Sequence, residues 1–105
     1  MSGTGEQTDS GVLDRSESET QEPPSYRVIL HNDDYTTMEF VIEVLESVFA
    51  LPSEEAFRVM MLVHTRGFGV CGIYSFEIAE TKAAMVHDLA RGRGFPLRAS
   101  VEEAP

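Results

Sequence analysis

The sequence predicts a small α+β domain of two layers, a three-stranded antiparallel sheet covered by three helices in the order β-α-α-β-α-β. Three observations lead there. Apolar residues recur at intervals of three and four in three separate stretches, each long enough for a helix. Residues 25–31 and 68–75 instead alternate as strands do, and a third extended stretch follows Pro96. The chain has 105 residues, enough for one core, and amphipathic helices beside a narrow sheet bury their apolar sides by stacking on it.

Residues 1–24 are rich in Ser, Thr, Glu, Gln and Gly, with Val12 and Leu13 almost alone as large apolar side chains. Burial cannot offset the entropy of ordering such a segment. It reads as a disordered acidic N-terminal extension ending at Pro23-Pro24, with residues 25–105 as the folded domain. Its composition suits a spacer and a segment that docks on a partner equally.

In the first strand Tyr26, Val28 and Leu30 face one way and Arg27, Ile29 and His31 the other. Thr36 and Glu39 have capping-box spacing, which starts the first helix at Thr37. Its expected buried stripe is Met38, Val41, Ile42, Leu45, Val48 and Phe49, with Glu39, Glu43 and Glu46 outside. Leu51-Pro52 breaks the pattern, and Ser53 with Glu54 and Glu55 reads as the cap and acidic first turn of a second helix. That helix runs to about Thr65 on the stripe Ala56, Val59, Met60 and Val63, and stops at Gly67. In the second strand Phe68, Val70 and Tyr74 fall on one side and Cys71 and Ile73 on the other, with three glycines marking bends or close neighbours. Ser75 caps a third helix from Phe76 to about Arg91, whose slim face is Ala79, Ala83, Val86 and Ala90. Gly92 and Gly94 end it, and residues 97–101 form the last strand.

The formal charge of −10 argues against nucleic acid and for a cationic ligand or a basic protein surface. Cys71 is the only cysteine, which rules out an intrachain disulfide and suits a reducing compartment; its apolar setting suggests a buried, inert thiol. No run is long enough to span a bilayer and the first residues lack the regions of a secretory signal, so a soluble intracellular protein is expected.

Between the first strand and first helix, His31 is followed by Asn32, Asp33 and Asp34 in succession. A turn needs one or two such residues, so three suggest a functional corner. His64 should emerge at the edge of the second helix's apolar stripe. Beside Asn32 and Asp34 it would complete a set of hydrogen-bond acceptors, the complement of a primary ammonium with three donors and one charge. His31, Asp33, Asp34 and His64 could alternatively be counted as metal ligands, but their spacing matches no standard metal signature. Met38 follows the acidic turn, and Met60 and Val63 flank His64; these adaptable apolar side chains could line a small cavity or be ordinary core. No nucleophile elbow or phosphate loop is present, and adjacent Asp33 and Asp34 cannot face each other across a substrate, so neither an enzyme nor a cofactor is indicated.

These residues carry a family likeness. The run from Tyr26-Arg27-Val28-Ile29-Leu30-His31-Asn32-Asp33-Asp34-Tyr35-Thr36-Thr37-Met38-Glu39-Phe40-Val41, then Val63-His64 with Gly67, Cys71-Gly72 and Ala79-Glu80-Thr81-Lys82, resembles ClpS, the adaptor of the bacterial Clp protease. The resemblance implies a cytoplasmic, monomeric adaptor without catalytic activity. It would bind proteins whose first residue is Leu, Phe, Tyr or Trp and deliver them to the ATPase ClpA, or to ClpC, for degradation. It implies that Asn32, Asp34 and His64 accept the free α-amino group, with Asp33 in the same acidic turn. It further implies a side-chain pocket of Met38, Met60 and Val63 with Val41 and Leu97 at its wall, Met38 limiting entry of β-branched side chains. Glu77 and Lys82 match positions that dock on the ATPase's N-terminal domain, and the extension matches a segment directed toward the ATPase. Thr37 departs from the family, standing where many relatives have proline. The alternative from composition and fold is an acidic protein-interaction module with no terminal-amine pocket, an architecture shared with the C-terminal domain of the ribosomal stalk protein.

Overall fold

The computed structural model describes residues 23–105. Apart from Pro23 and Pro24, the expected extension lies outside them. The elements are β1 (Tyr26–His31), α1 (Met38–Ser47), α2 (Ser53–Arg66), β2 (Phe68–Tyr74), α3 (Phe76–Arg93) and β3 (Arg98–Glu103). This is the expected α+β order. β1 lies in the centre of a three-stranded sheet, antiparallel to β2 on one side and β3 on the other.

The three helices share one core with the inner face of the sheet. Val28 and Leu30 of β1 are fully buried against Val44 and Leu45 of α1, Val59 and Val63 of α2, and Val86 of α3. Ala79, Ala83 and Ala90 give α3 the narrow buried side expected of it, which lets its backbone lie close to the sheet. Cys71 is buried in this core, and burial pushes its thiol up to about 12, so it stays protonated and inert. Among the described residues no helix is long and apolar enough to cross a membrane.

Several local details differ from expectation. Thr37, not Thr36, caps α1, its hydroxyl accepting from the Phe40 amide at 3.1 Å, and the helix starts at Met38. The Thr36 hydroxyl is drawn to Asp33 instead. The buried stripe accordingly contains Phe40 and Val44, while Met38 stands at its edge and is 41% exposed. Pro52 occupies the cap position of α2 without a side-chain hydrogen bond, and the Ser53 hydroxyl, inside the first turn, donates to Glu46 at 3.1 Å.

In β2 the pairing jumps from Val28↔Gly72 to Ile29↔Val70, leaving Cys71 without a register partner. This bulge reverses the alternation. Phe68, Val70 and Ile73 consequently are the exposed members of the strand, while Tyr74 packs on the core, so Tyr74 and Ile73 exchange their expected sides. Finally, α3 continues through Gly92 to Arg93 and ends at Gly94, whose φ of 76° is left-handed. β3 then pairs along the whole of β1, from His31↔Arg98 to Tyr26↔Glu103, and runs two residues past the expected end.

Gly69 sets how closely α2 approaches the sheet. A β-carbon there would come within 2.9 Å of Val63 Cγ2 and 3.2 Å of both Val59 Cγ1 and the Val59 carbonyl oxygen. The two valine side chains are themselves core, so they have little room to yield. Gly69→Ala should therefore lower stability by about 1–3 kcal/mol through overpacking, measured as a shift of the denaturant midpoint. An unchanged midpoint would show that α2 is free to move away from β2.

Candidate functional site

β1 ends at His31, and the chain then turns over the end of α2. The Asn32 amide donates to the Gly67 carbonyl at 2.9 Å. Gly67 is the left-handed cap of α2, with φ of 96°, and its own amide donates to Val63. The acidic turn is thereby fixed beside the last turn of the helix that carries His64.

Within the turn, Asp33 has an internal role. Its Oδ1 accepts from the amides of Tyr35 at 2.8 Å and Thr36 at 2.7 Å, and its Oδ2 accepts from the Thr36 hydroxyl at 2.7 Å. Partial burial acts to raise its pKa, but the bonds from Thr36 and Tyr35 outweigh it and hold the carboxyl below its ordinary value. Asp33 shapes the turn, and the neighbouring groups face outward from it. Among the described residues no hydrogen bond engages the side chains of Asn32, Asp34 or His64.

These groups surround a cavity of about 260 Å³ lined by Asn32, Asp33, Asp34, Thr36, Met38, Val41, Met60, Val63 and His64. Val41, Met60 and Val63 are buried and form an apolar floor, while Asn32, Asp34 and His64 are exposed at the rim. Met38 is on the rim too, because α1 begins there. The volume lies below the roughly 300–1,000 Å³ of pockets that hold drug-sized molecules, and is scaled to a single side chain with its attached polar group. An acceptor-rich edge above a dry floor suits a ligand with a charged donor at one end and a hydrophobic body at the other.

The structure thus gathers eight of the residues expected at the site around one opening, and adds Thr36, which sequence reasoning treated only as a cap. Its spacing of three from Asp33 was the available signal, since that separation allows an Asp side chain to bond back to the backbone. Leu97 is placed elsewhere. It is buried beside His87, Ala90 and Phe95 at the end of α3 and lines a different cavity. Glu77 is exposed in the first turn of α3. Lys82, half-buried, donates from Nζ to the Val48 carbonyl at 2.8 Å and lies 5.2 Å from the Tyr74 ring centroid, so it caps the C-terminal end of α1. Neither Glu77 nor Lys82 lines the cavity.

The alternative ligand set does not assemble. His31 is on the opposite face of the sheet, its Nε2 2.6 Å from Ser100 Oγ; burial and then the neighbouring Arg98 lower its pKa. Among the described residues no three His, Cys, Asp or Glu side chains come together as metal ligands.

A rim of acceptor side chains over an apolar floor defines a recognition domain. Comparison with known proteins agrees. The family model described as ATP-dependent Clp protease adaptor protein ClpS matches residues 21–100. The chain is 56% identical over 87 residues to the ATP-dependent Clp protease adapter protein ClpS of Oleidesulfovibrio alaskensis, covering 83% of this chain and 84% of that one. It is 55% identical over 95 residues to the ClpS of Nitratidesulfovibrio vulgaris strain DP4, covering 90% and 89%. The structure of Agrobacterium tumefaciens ClpS2 bound to L-phenylalaninamide superposes with a TM-score of 0.76 at 43% identity, covering 79% of this chain and all of that one. The chain belongs to the ClpS family of Clp protease adaptors.

The turn makes a prediction independent of any ligand. Asp33 has a folded pKa below its unfolded value of about 3.9, so its contribution to stability is complete above that value and is lost as pH falls through the folded pKa. Asp33→Ala should cost about 1 kcal/mol at neutral pH, the usual cost of losing a side-chain cap. The difference from the unaltered chain should shrink in acid below the ordinary Asp range. Equal stability of the two at neutral pH would remove Asp33 as the organiser of the turn.

Proposed function

We propose that the cavity holds the first residue of a protein chain, with Asn32, Asp34 and His64 accepting the free α-ammonium and Met38, Val41, Met60 and Val63 enclosing its side chain. Asp33 and Thr36 hold the turn in shape. The observation that carries this reading is the placement of three unpartnered acceptor side chains on the rim of a cavity with a buried apolar floor. As a ClpS-family adaptor the chain binds N-terminal residues and delivers substrates to the Clp protease without chemistry of its own. The ligand of the Agrobacterium relative supports the kind of ligand proposed: L-phenylalaninamide combines a free amine, a benzyl side chain and a carboxyl masked as an amide, which is the chemistry of an N-terminal Phe.

Selectivity then has two sources. Burying a Leu or Phe side chain is worth roughly 1.5–3 kcal/mol, which separates large from small first residues by about tenfold or more. Size alone cannot distinguish a terminus from an internal residue. The rim does so, since an internal residue offers a neutral amide and additional chain that collides with the acidic turn. Met38 at the mouth obstructs side chains branched at the β-carbon, which are wide close to the backbone.

On the partner side, the N-terminal domain of ClpA, or of ClpC, is the proposed docking partner, engaging the start of α3 around Glu77 and Lys82. Residues 1–24 serve delivery to the ATPase in this reading. The setting is the bacterial cytoplasm, as for the family.

Two peptides identical except that one begins with Leu and the other with acetyl-Leu test the amine contacts by fluorescence anisotropy. Only the free form is expected to bind; equal binding would refute the assignment of Asn32, Asp34 and His64. Met38→Ala should admit Ile and Val termini and narrow the preference for Leu over Ile. An unaltered Leu-to-Ile ratio would remove Met38 as the gate.

A further inference from the structure

We propose that residues 9–14 of the chain's own N-terminal extension dock in a groove on the outer face of the sheet. The outer face is the side away from the helices. It carries a groove of about 690 Å³ whose floor is Ile29, Phe68 and Val70 and whose walls are Arg27, His31, Arg66 and one carboxylate, Glu102. Phe68 is 53% exposed and Ile73, further along β2, is 59% exposed. Adjacent large apolar side chains left open to water on a sheet face mark an interaction surface more often than an accident of composition. The groove shares no lining residue with the amine-binding cavity.

Charge selects the occupant. The whole chain has a net charge of −10, yet on this face Glu102 offsets only Arg27, and the guanidinium groups of Arg66 and Arg98 remain in excess. Arg27 is paired with Glu102, Arg58 with Glu55, Arg91 with Asp88 and Arg93 with Glu43, while Lys82 bonds to a carbonyl. Arg66 and Arg98 have no ion pair among the described residues. Arg66 lines the groove and Arg98 is the register partner of His31 at its rim. An acidic segment carrying one or two apolar side chains therefore fits it. The stretch Asp9-Ser10-Gly11-Val12-Leu13-Asp14 has that composition: two carboxylates flank the only adjacent pair of large aliphatic residues in the first 22 positions.

Geometry permits the contact. β1 begins at Tyr26 and advances about 17 Å to His31, where Arg66 and Arg98 lie, at roughly 3.3 Å per residue. Leu13 lies ten positions before Pro23, giving a reach of up to about 33 Å when extended and about 17 Å for a coil. Covalent attachment supplies a high effective concentration, so a weak contact suffices. The extension would thus rest against the domain on the side opposite its peptide site, leaving that site open.

The full chain with Ser10→Cys, carrying a nitroxide, tests this by paramagnetic broadening of amide NMR signals. Cys71 is buried and protonated, so labelling is confined to the new thiol. Phe68, Val70 and Ile73 should lose most of their signal intensity relative to the reduced label, unchanged on dilution. Leu13→Asp, or the pair Arg66→Glu and Arg98→Glu, should restore it. Broadening confined to the start of β1, broadening that fades on dilution as expected for a second copy, or broadening indifferent to all three substitutions would each overturn the proposal.

Discussion

A single backbone hydrogen bond, from the Asn32 amide to the Gly67 carbonyl, is the constraint on which the recognition site depends. It joins the exit of the central strand to the cap of α2, two points far apart in the chain. Around it the His31↔Phe68 pair closes one end of the sheet and the Gly67 amide closes the last turn of the helix. Gly67, which supplies the carbonyl, adopts a left-handed conformation that a side chain would strain. The acidic turn and His64 then occupy fixed positions relative to each other before any ligand arrives. In the proposed complex such preorganisation would spare the entropy of assembling the acceptors at the moment of binding.

Division of labour within the turn follows from the same constraint. Three consecutive polar residues appear redundant in sequence, yet only Asp33 is taken up internally, by two amides and a hydroxyl. Asn32 contributes its backbone to the fold and leaves its side chain at the rim. Asp34 is exposed, and its side chain makes no hydrogen bond among the described residues. The floor depends on the core in turn: Val41, Met60 and Val63 are buried residues of α1 and α2, so the bottom of the cavity is an extension of the same packing that holds the domain together.

Much of this was legible in the sequence. Helical and strand periods are local properties, which is why the order of elements could be read from them, and the unusual polar run marked the site directly. What escaped was set by contacts distant in sequence. The choice of Thr37 over Thr36 as cap depends on Asp33 drawing Thr36 away. The bulge at Cys71 arises from pairing with β1, and no pattern within β2 signals it. Leu97 follows a glycine stop and a proline; the Phe95 amide donates to the Ala90 carbonyl and its ring packs on Phe40, and Leu97 comes to line the cavity at the end of α3 instead. The family resemblance supplied roles for residues whose chemistry alone left alternatives open, as at His64.

Lys82 gives α1 a mechanical character. The helix is ten residues long, about 15 Å, with Met38 at one end and Val48 just beyond the other. Because the Lys82 ammonium grips the Val48 carbonyl between the Phe49 and Tyr74 rings, the far end of this rod is pinned to α3. The far end of α1, ten residues from the mouth of the cavity, is therefore tied to α3 by a side chain and not by helix packing alone.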